Sequence, residues 1–261
     1  MIEQDTIVVF NRRVALDTFL MGVRALSIAE AARPGQFVMI RAGEGLDPLL
    51  RRPFSICGVT GDQVMVLYRV VGRGTRMLSN TREGAFLSVL GPLGKGFAIP
   101  RSGQPATLVA GGMGIAPLAF LAGSIGAGRH LFLAGFGSAD QIVRDHPMGL
   151  RDMEISFSTD DGSAGHPGLV TELLERALAH TDGSSLKVFA CGPIPMLKAV
   201  AEITAVMNIP CQVSLEASMA CGLGACQGCA VKAAPGQVRP YWHVCQDGPV
   251  FDRTDLDWEA L

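Results

Sequence analysis

Four cysteines near the end of the chain have a spacing suited to an iron–sulfur cluster. Cys221, Cys226 and Cys229 follow the pattern C-x4-C-x2-C, and Cys245 comes sixteen positions later. This is the ligand order of plant-type [2Fe-2S] proteins. Glycines separate the cysteines, and glycine permits the positive φ values that a chain needs to wrap around a cluster. The spacing predicts one [2Fe-2S] cluster held by four thiolates.

Zinc or buried structural thiols are alternative interpretations of these cysteines. Zinc sites usually pair two C-x2-C knuckles, and the chain has only one such pair. The chain has seven cysteines, an odd number, and is too large to need disulfides for its stability. We expect Cys57, Cys191 and Cys211 to be small buried apolar residues. A cluster together with free thiols predicts a reducing, cytoplasmic location.

Two arginines in the first hundred residues are candidates for binding an anion. Arg52 and Arg69 lie within otherwise apolar segments, where an unpaired guanidinium is costly. A pyrophosphate would satisfy either one in bidentate fashion, and Gly72, Gly74 and Thr75 would add backbone amides and a hydroxyl. The alternative is that both arginines reach solvent at strand ends.

Two glycine-rich segments further along the chain are candidates for binding a dinucleotide. They are Gly111-Gly-Met-Gly-Ile-Ala-Pro117 and Cys191-Gly-Pro193, and each follows an apolar strand candidate. Glycine lets a phosphate approach the backbone, and the following helix N-terminus favours negative charge. The first segment lacks the order G-x-G-x-x-G, so a tight turn also explains it. Asp140 and the lack of a nearby basic pair favour NAD over NADP.

Composition excludes several other classes of protein. The chain has 261 residues, 48% of them hydrophobic, and a net charge of −2, so no nucleic-acid or anionic membrane surface is indicated. Its first residues lack the order of a signal peptide. The uncharged run from Ser102 to Gly128 is long enough for a membrane span, but its glycines and prolines favour a strand, a loop and a helix. The histidines form no spaced set, so we assign no residue to catalysis; they are His130, His146, His166, His180 and His243.

Residues 1–100 are predicted to form an antiparallel β-barrel. Short β-rich runs alternate with turn signals, and no helical period competes with them. The predicted strands are Thr6–Phe10, Phe19–Ala25, Phe37–Ile40, Phe54–Val59, Val64–Val71 and Phe86–Val89.

Residues 101–210 are predicted to form a doubly wound α/β domain with a parallel sheet, and residues 211–261 a cluster-binding segment. Strands and helices alternate here, and ligands of such sheets bind beyond the carboxyl ends of the strands. The predicted strands are Thr107–Ala110, Leu131–Ala134, Ile155–Ser158, Lys187–Ala190 and Gln212–Leu215, and the predicted helices are Pro117–Gly126, Leu169–Leu178 and Met196–Val206.

Several of these motifs resemble those of the ferredoxin–NADP reductase superfamily. Arg52-Pro53-Phe54-Ser55 is similar to its R-x-[YF]-[ST] signature, with phenylalanine at the third place. The resemblance implies that Arg52 binds the FAD pyrophosphate and that Ser55 hydrogen-bonds the isoalloxazine. A second FAD segment is matched by Leu67, Tyr68, Arg69, Gly74 and Thr75, and the pyridine-nucleotide motifs by Gly111, Gly112, Gly114, Cys191, Gly192 and Pro193.

Nearly the whole chain resembles one family, the electron-transfer subunits of class B dihydroorotate dehydrogenases. The most specific matches are Met219-Ala-Cys-Gly-Leu-Gly-Ala-Cys-Gln-Gly-Cys229 and Val244-Cys-Gln-Asp-Gly-Pro-Val-Phe251. The resemblance implies a partner, an FMN-bearing catalytic subunit that oxidises dihydroorotate in pyrimidine biosynthesis, in a heterotetramer with two copies of each subunit. Electrons would pass from that FMN through the cluster to FAD and then to NAD.

Two other functions remain open at this stage. Related reductase subunits serve ferredoxin-dependent transhydrogenases, sulfide dehydrogenases and hydrogenases, with the same cofactors and another partner. A sensor that uses the cluster as a redox-responsive staple would bind no NADH. Glu216, just before the cysteine loop, is a hypothetical contact of the flavin or nicotinamide edge.

Overall fold

The first part of the chain closes into a six-stranded antiparallel barrel, as the sequence predicts. The structure is a computed structural model that describes residues 1–43, 45, 47–143, 153–179 and 185–261. The barrel strands are β1 (Ile2–Ala15), β2 (Thr18–Arg24), β3 (Phe37–Ile40), β4 (Arg52–Thr60), β5 (Gln63–Arg69) and β6 (Phe86–Leu93). They pair in the order β1-β2-β5-β4-β3-β6. Alternate side chains point inward, and Val8, Met21, Ile40 and Ile56 are fully buried in the barrel core.

Two short helices, which the sequence analysis did not predict, interrupt this part of the chain. They are α1 (Leu26–Ala31) and α2 (Arg73–Ser79). Both are too short to show a 3.6-residue hydrophobic period. At the start of α2 the hydroxyl of Thr75 accepts hydrogen bonds from the backbone N–H groups of Val71 and Gly72 and donates to the Gly72 carbonyl. These bonds stop β5 from extending to Val71, where the sequence places its end.

A seven-stranded sheet follows, flanked by three helices. Its strands are β7 (Ala106–Gly111), β8 (His130–Phe136), β9 (Glu154–Thr159), β10 (His166–Pro167), β11 (Lys187–Cys191), β12 (Cys211–Ser214) and β15 (Val250–Asp252), in the order β10-β9-β8-β7-β11-β12-β15. The helices are α3 (Ile115–Ala122), α4 (Val170–Leu178) and α5 (Ile194–Val206). All pairings are parallel except β12 with β15, so the predicted doubly wound parallel sheet is confirmed. The direction of winding reverses between β7 and β11.

The uncharged run from Ser102 to Gly128 contains β7, a turn and α3, as expected. The buried apolar face of α3 packs against barrel residues such as Leu20, Cys57 and Leu67. In the described part of the chain, no helix is long and apolar enough to cross a membrane.

The last segment contributes to the sheet at both of its ends. β12 opens it and β15 lies near its end, while β13 (Ala230–Lys232) and β14 (Tyr241–His243) form a separate hairpin between them. The cysteine-bearing segment packs in one apolar cluster with Met39 and Leu93 of the barrel and Val213 of the sheet. The division at residues 100 and 210 stays a prediction, and the strand pairing joins part of the third segment to the sheet of the second.

The ends of β7 and β11 approach each other closely where the winding reverses. A Cβ atom added to Gly114 would lie 1.9 Å from the carbonyl oxygen of Cys191, and one added to Gly111 would lie 2.6 Å from the sulfur of Met196. Gly114 has a φ of −59°, so its requirement for glycine is steric rather than conformational. A side chain at Gly114 would push the two loops apart.

We expect Gly114→Ala to destabilise the protein by at least about 1–3 kcal/mol because the methyl group overpacks a backbone contact. Gly126→Ala is the matched control, since nothing lies within 4 Å of a Cβ atom at that position. Thermal unfolding should show a lower Tm for Gly114→Ala and an unchanged or slightly higher Tm for the control. Equal Tm values would contradict the close approach.

Candidate functional site

A cavity of about 340 Å³ lies where the barrel, the sheet and the cysteine-bearing segment meet. The barrel contributes the start of β4, the end of β5 and Thr75 of α2. The sheet side contributes Met113, Ala116 and Cys191, and the chain beyond β12 contributes Leu215 to Ala217 and Met219. Of the residues predicted to bind FAD, all except Gly74 line this cavity: Arg52, Pro53, Phe54, Ser55, Leu67, Tyr68, Arg69 and Thr75.

Arg52 is positioned by its contact with the turn before α2. A Cβ atom at Gly74 would lie 2.6 Å from Nε of Arg52, so glycine is needed there for the guanidinium to pass. Gly74 therefore contributes to the site by leaving room for the side chain of Arg52. Nη1 of Arg52 donates to the carbonyl oxygen of Leu50. The rest of the guanidinium borders the cavity, where it would meet an anionic ligand.

Tyr68 forms part of the cavity wall as a fixed aromatic surface. Its ring stacks on Phe19 at 5.8 Å and packs at a tilt against Phe54 at 5.5 Å between centroids. Its hydroxyl donates to Oδ1 of Asn11 at 2.9 Å. Burial raises the pKa of Tyr68 to about 12, although its hydrogen bond to Asn11 opposes the shift. The ring is therefore neutral and rigid at physiological pH.

The hydroxyl of Thr75 is hydrogen-bonded to the backbone of its own turn. The sequence suggested that it would bind the same anion as the arginines, whereas its oxygen accepts from two backbone N–H groups and donates to a carbonyl. Thr75 therefore stabilises the turn before α2, and it also forms part of the cavity wall.

A second cavity of about 390 Å³ lies beyond the carboxyl ends of the sheet strands. Gly111, Gly112 and Pro193 line it at the point where the winding reverses, and Gly135, Phe136 and Gly137 line it at the end of β8. This is the position at which open α/β sheets bind ligands. Gly192 has a φ of 159°, and a Cβ atom there would lie 2.7 Å from Cε of Met196. Gly114 and Gly192 shape the loops without lining the cavity.

Cys191 faces the first cavity rather than the second. Its thiol is buried, and desolvation raises its pKa well above the usual range, with the nearby Glu216 carboxylate adding to the shift. Glu216 borders the same cavity. Its side chain is accessible from the cavity, yet the surrounding protein desolvates it and raises its pKa. A thiol and a carboxyl with weakened acidity therefore face the space between barrel and sheet.

Several wall residues were not predicted from the sequence. Ser214, Met113 and Ala116 line the first cavity, and Gln141 and Asp160 line the second. Met113 and Ala116 lie within the glycine-rich segment Gly111–Pro117, whereas Ser214, Gln141 and Asp160 carried no signal beyond a position at or after the end of a strand. Asp140 accepts a hydrogen bond from the Ser138 hydroxyl, and His146 and His180 lie outside the described residues.

The cysteine loop directs backbone N–H groups at the sulfur atoms. Sγ of Cys221 accepts from the N–H of Leu223 at 3.3 Å and of Cys226 at 3.4 Å, and Sγ of Cys245 accepts from the N–H of Gly224 at 3.1 Å. These bonds favour the thiolate, and they lower the pKa of Cys221 to about 7. Burial instead raises the pKa of Cys245 to about 12.

The four cysteines form a buried side and an exposed side. Cys229 and Cys245 are buried with their sulfur atoms 3.2 Å apart, while Cys226 is exposed and Cys221 is half-buried. Gln227, which follows Cys226, has a φ of 57°, a left-handed conformation that is uncommon for a residue other than glycine. Loop curvature therefore depends on more than the glycines.

This donor set fits an iron–sulfur cluster. Hydrogen bonds from backbone N–H groups to sulfur are one of the means by which proteins stabilise such clusters. Among the described residues, no three His, Cys, Asp or Glu side chains are grouped as a single-ion site. A [2Fe-2S] cluster needs its thiolates in two pairs, one on each iron, and Cys229 with Cys245 supplies one such pair.

The other three cysteines behave as the sequence predicts. Cys57, Cys191 and Cys211 are buried and have no disulfide partner. Burial raises the pKa of the Cys211 thiol to about 12, which keeps it neutral.

Solved structures place the chain in a class of flavin-binding reductases. The NADH-dependent reduced ferredoxin-NADP oxidoreductase aligns with a TM-score of 0.84 and 28% identity over 97% of this chain and 90% of that one. A ferredoxin NADP+ reductase from Neisseria gonorrhoeae, solved with bound FAD and NADP, aligns with a TM-score of 0.64 over 79% and 92%. Its 14% identity supports the fold alone. The barrel beside a parallel sheet is the fold of ferredoxin reductases.

Sequence comparisons identify a family within that class. The model of the iron-sulfur cluster binding domain of dihydroorotate dehydrogenase B matches residues 216–257. The dihydroorotate dehydrogenase B (NAD(+)) electron transfer subunit of Desulforamulus reducens is 40% identical over 94% of this chain and 95% of its own length. The subunit from Fusobacterium nucleatum is 36% identical over 98% and 99%. The chain belongs to the family of dihydroorotate dehydrogenase B electron transfer subunits.

We expect Cys226→Ala to remove the visible absorption of the cluster and most of the bound iron, because one iron loses a thiolate ligand. Cys57→Ala is the matched control, since Cys57 is a buried thiol of the barrel. Iron content and the visible spectrum of anaerobically purified protein are the measurements. A full iron content in Cys226→Ala, or loss of iron in Cys57→Ala, would contradict this assignment of ligands.

Proposed function

We propose that the chain is the electron transfer subunit of an NAD-linked dihydroorotate dehydrogenase. It moves electrons between the FMN of a catalytic subunit, which oxidises dihydroorotate in pyrimidine biosynthesis, and NAD. The chain carries FAD and a [2Fe-2S] cluster for this purpose. The proposal rests on family membership, since relatives that match nearly the whole chain are named as this subunit.

One observation carries the proposal: the first cavity is bordered by all three functional segments. Arg52 to Ser55 belong to the barrel, Met113 and Cys191 to the nucleotide-binding loops, and Leu215 to Ala217 lead into the cysteine loop. A flavin in this cavity would contact the site of the nicotinamide on one side and the cluster on the other. FAD exchanges two electrons with NAD and single electrons with an iron–sulfur cluster, which is why it is needed between them.

The chain's own residues bind and orient these groups. Arg52 and Arg69 hold the FAD pyrophosphate, Ser55 donates to the flavin ring, and Phe54 and Tyr68 provide apolar and aromatic wall. Gly111 and Gly112 let the backbone approach the nicotinamide dinucleotide. Gly114, Cys191, Gly192 and Pro193 fix the loops that shape its site.

The exposed side of the cysteine loop is the contact with the catalytic partner. Cys226 and Leu223 are exposed there, whereas Cys229 and Cys245 face the protein interior. An electron entering from another protein would therefore reach the cluster from this side. By family resemblance, the assembly holds two copies of each subunit. The free thiols of Cys57, Cys191 and Cys211 support a reducing, cytoplasmic location.

The second candidate function keeps the cofactors and changes the partner. It is favoured by the TM-score of 0.84 with the NADH-dependent reduced ferredoxin-NADP oxidoreductase, a protein described in terms of flavin-based electron bifurcation. In that case the chain would exchange electrons with ferredoxin.

The first experiment is a visible spectrum of anaerobically purified protein before and after adding NADH. We expect flavin bands with a broad shoulder at longer wavelength, both bleached by NADH. A protein that co-purifies with the tagged chain, contains FMN and reduces NAD+ with dihydroorotate would support the first function. Ferredoxin reduction by NADH without such a partner would support the second, and no colour or no response to NADH would overturn both.

We expect Arg52→Ala to weaken FAD binding by roughly tenfold or more, because a pyrophosphate loses a charge-assisted hydrogen-bond partner. Arg51→Ala is the matched control, since its guanidinium donates to the Ser88 carbonyl at 2.9 Å and pairs with Glu3 outside the cavity. The ratio of flavin to protein absorbance after dialysis is the measurement. Full FAD occupancy in Arg52→Ala would move this role to another residue.

A further inference from the structure

Arg69 borders both cavities, although it belongs to the barrel. It lies at the end of β5, and its side chain lines the wall of the first cavity together with Arg52 and Ser55. It also lines the second cavity, opposite the glycine-rich loops of the sheet. Arg52 lines only the first cavity. The two arginines therefore differ in the ligands they can reach.

The guanidinium of Arg69 is only partly hydrogen-bonded by the protein. Nη2 donates to Oε1 of Gln141 at 3.3 Å. Nε is buried and has no hydrogen-bond partner among the described residues. A guanidinium carries five N–H donors in a planar fork, and leaving one buried without an acceptor costs free energy. Because Nε is closed off from the cavities, acceptors from bound ligands would have to meet the terminal Nη groups of the fork.

Gln141 comes from the opposite wall and holds the guanidinium at the boundary. Gln141 lines the second cavity, and a backbone hydrogen bond joins its segment to the barrel turn between β1 and β2. The N–H of Leu16 donates to the Asp140 carbonyl at 2.8 Å, and the N–H of Val70 donates to the Asp17 carbonyl at 2.7 Å. The turn between β1 and β2 is therefore bonded both to Asp140, which precedes Gln141, and to Val70, which follows Arg69.

We propose that Arg69 binds the phosphates of both dinucleotides at once, FAD in the first cavity and NAD in the second, with Gln141 as its positioning residue. This inference rests on the proposed function, which supplies the two ligands. The planar fork of arginine can offer separate edges to two phosphate groups, which a lysine ammonium cannot do with the same geometry. Arg69 is thereby a nicotinamide-dinucleotide contact provided by the flavin barrel.

A shared guanidinium links the two binding events. Each dinucleotide holds the side chain in the position that the other requires, so bound FAD strengthens NAD binding and bound NAD strengthens FAD binding by the same factor. The chain would in this way favour NAD binding when its flavin is in place.

The test compares Arg69→Gln with Arg52→Gln in protein kept saturated with added FAD. Calorimetric titration with NAD+ gives the Kd, and the flavin-to-protein absorbance ratio after dialysis gives FAD retention. We expect both substitutions to weaken FAD retention. Only Arg69→Gln should also raise the Kd for NAD+, by roughly tenfold, which is the loss of a charge-assisted hydrogen bond.

Arg69→Lys provides a second variant in case Arg69→Gln folds poorly, because it keeps the charge and loses the fork. We expect a raised Kd for NAD+ here too. A Kd in Arg69→Lys and Arg69→Gln equal to that of the unchanged protein would overturn the inference. If the unchanged protein bound no NAD+, the proposed function would fail instead.

A double-mutant cycle tests the positioning role of Gln141. Gln141→Leu alone should raise the Kd for NAD+ and also lower FAD retention, because Arg69 holds both ligands and Gln141 positions it. If Gln141 acts through Arg69, adding Gln141→Leu to Arg69→Gln should raise the Kd little further. If the two substitutions instead raise the Kd for NAD+ by factors that multiply in the double variant, the positioning role of Gln141 is overturned.

Discussion

The antiparallel pairing of β15 with β12 is the constraint on which the site depends. Ser214 at the end of β12 pairs with Val250 at the start of β15, and the N–H of Leu215 donates to the carbonyl of Pro249 at 2.9 Å. Residues 215–249 must therefore leave and rejoin the sheet at one point, which lies at the wall of the first cavity. The four cysteines are all in this loop. The chain that forms this part of the cavity wall therefore leads directly into the cysteine loop.

The barrel completes the arrangement by holding the same loop from the other side. The N–H of Lys95 donates to the carbonyl of Gly248 at 2.6 Å, and a Cβ atom at Gly222 would lie 2.8 Å from the side chain of Met39. Cys229 and Cys245 are buried as a result, whereas Cys226 stays exposed. The fold thus gives the cluster one protected side and one accessible side, as a carrier between two proteins requires.

Charge is placed at the cavities where ligands would satisfy it. Arg52 and Arg69 are the cations of the first cavity, and Glu216 is an acid whose pKa is raised there by desolvation. Half-buried guanidinium groups are costly without hydrogen-bond acceptors, and the cavities leave room for anionic ligands beside both of them. The same reasoning explains why the barrel residue Arg69 contacts Gln141 of the nucleotide-binding part.

The sequence by itself determined the classes of element and most of the chemistry. Period-two and strand–helix patterns are local properties, so the barrel strands, the parallel sheet and helices such as Val170–Leu178 could be predicted. Cysteine spacing and the Arg-Pro-Phe-Ser motif are also local. The short helix Arg73–Ser79 was missed because about two turns carry no clear periodic signal, and its start depends on the side chain of Thr75.

Only the tertiary structure decided which of these residues meet. Contacts between segments far apart in the chain decide that Cys191 faces the first cavity and that Gly114 packs on a carbonyl. They also decide that Arg69 borders two cavities. The partition of the four ligands into buried and exposed pairs has the same origin. Such contacts arise from the packing of barrel against sheet, and no spacing along the chain encodes that geometry by itself.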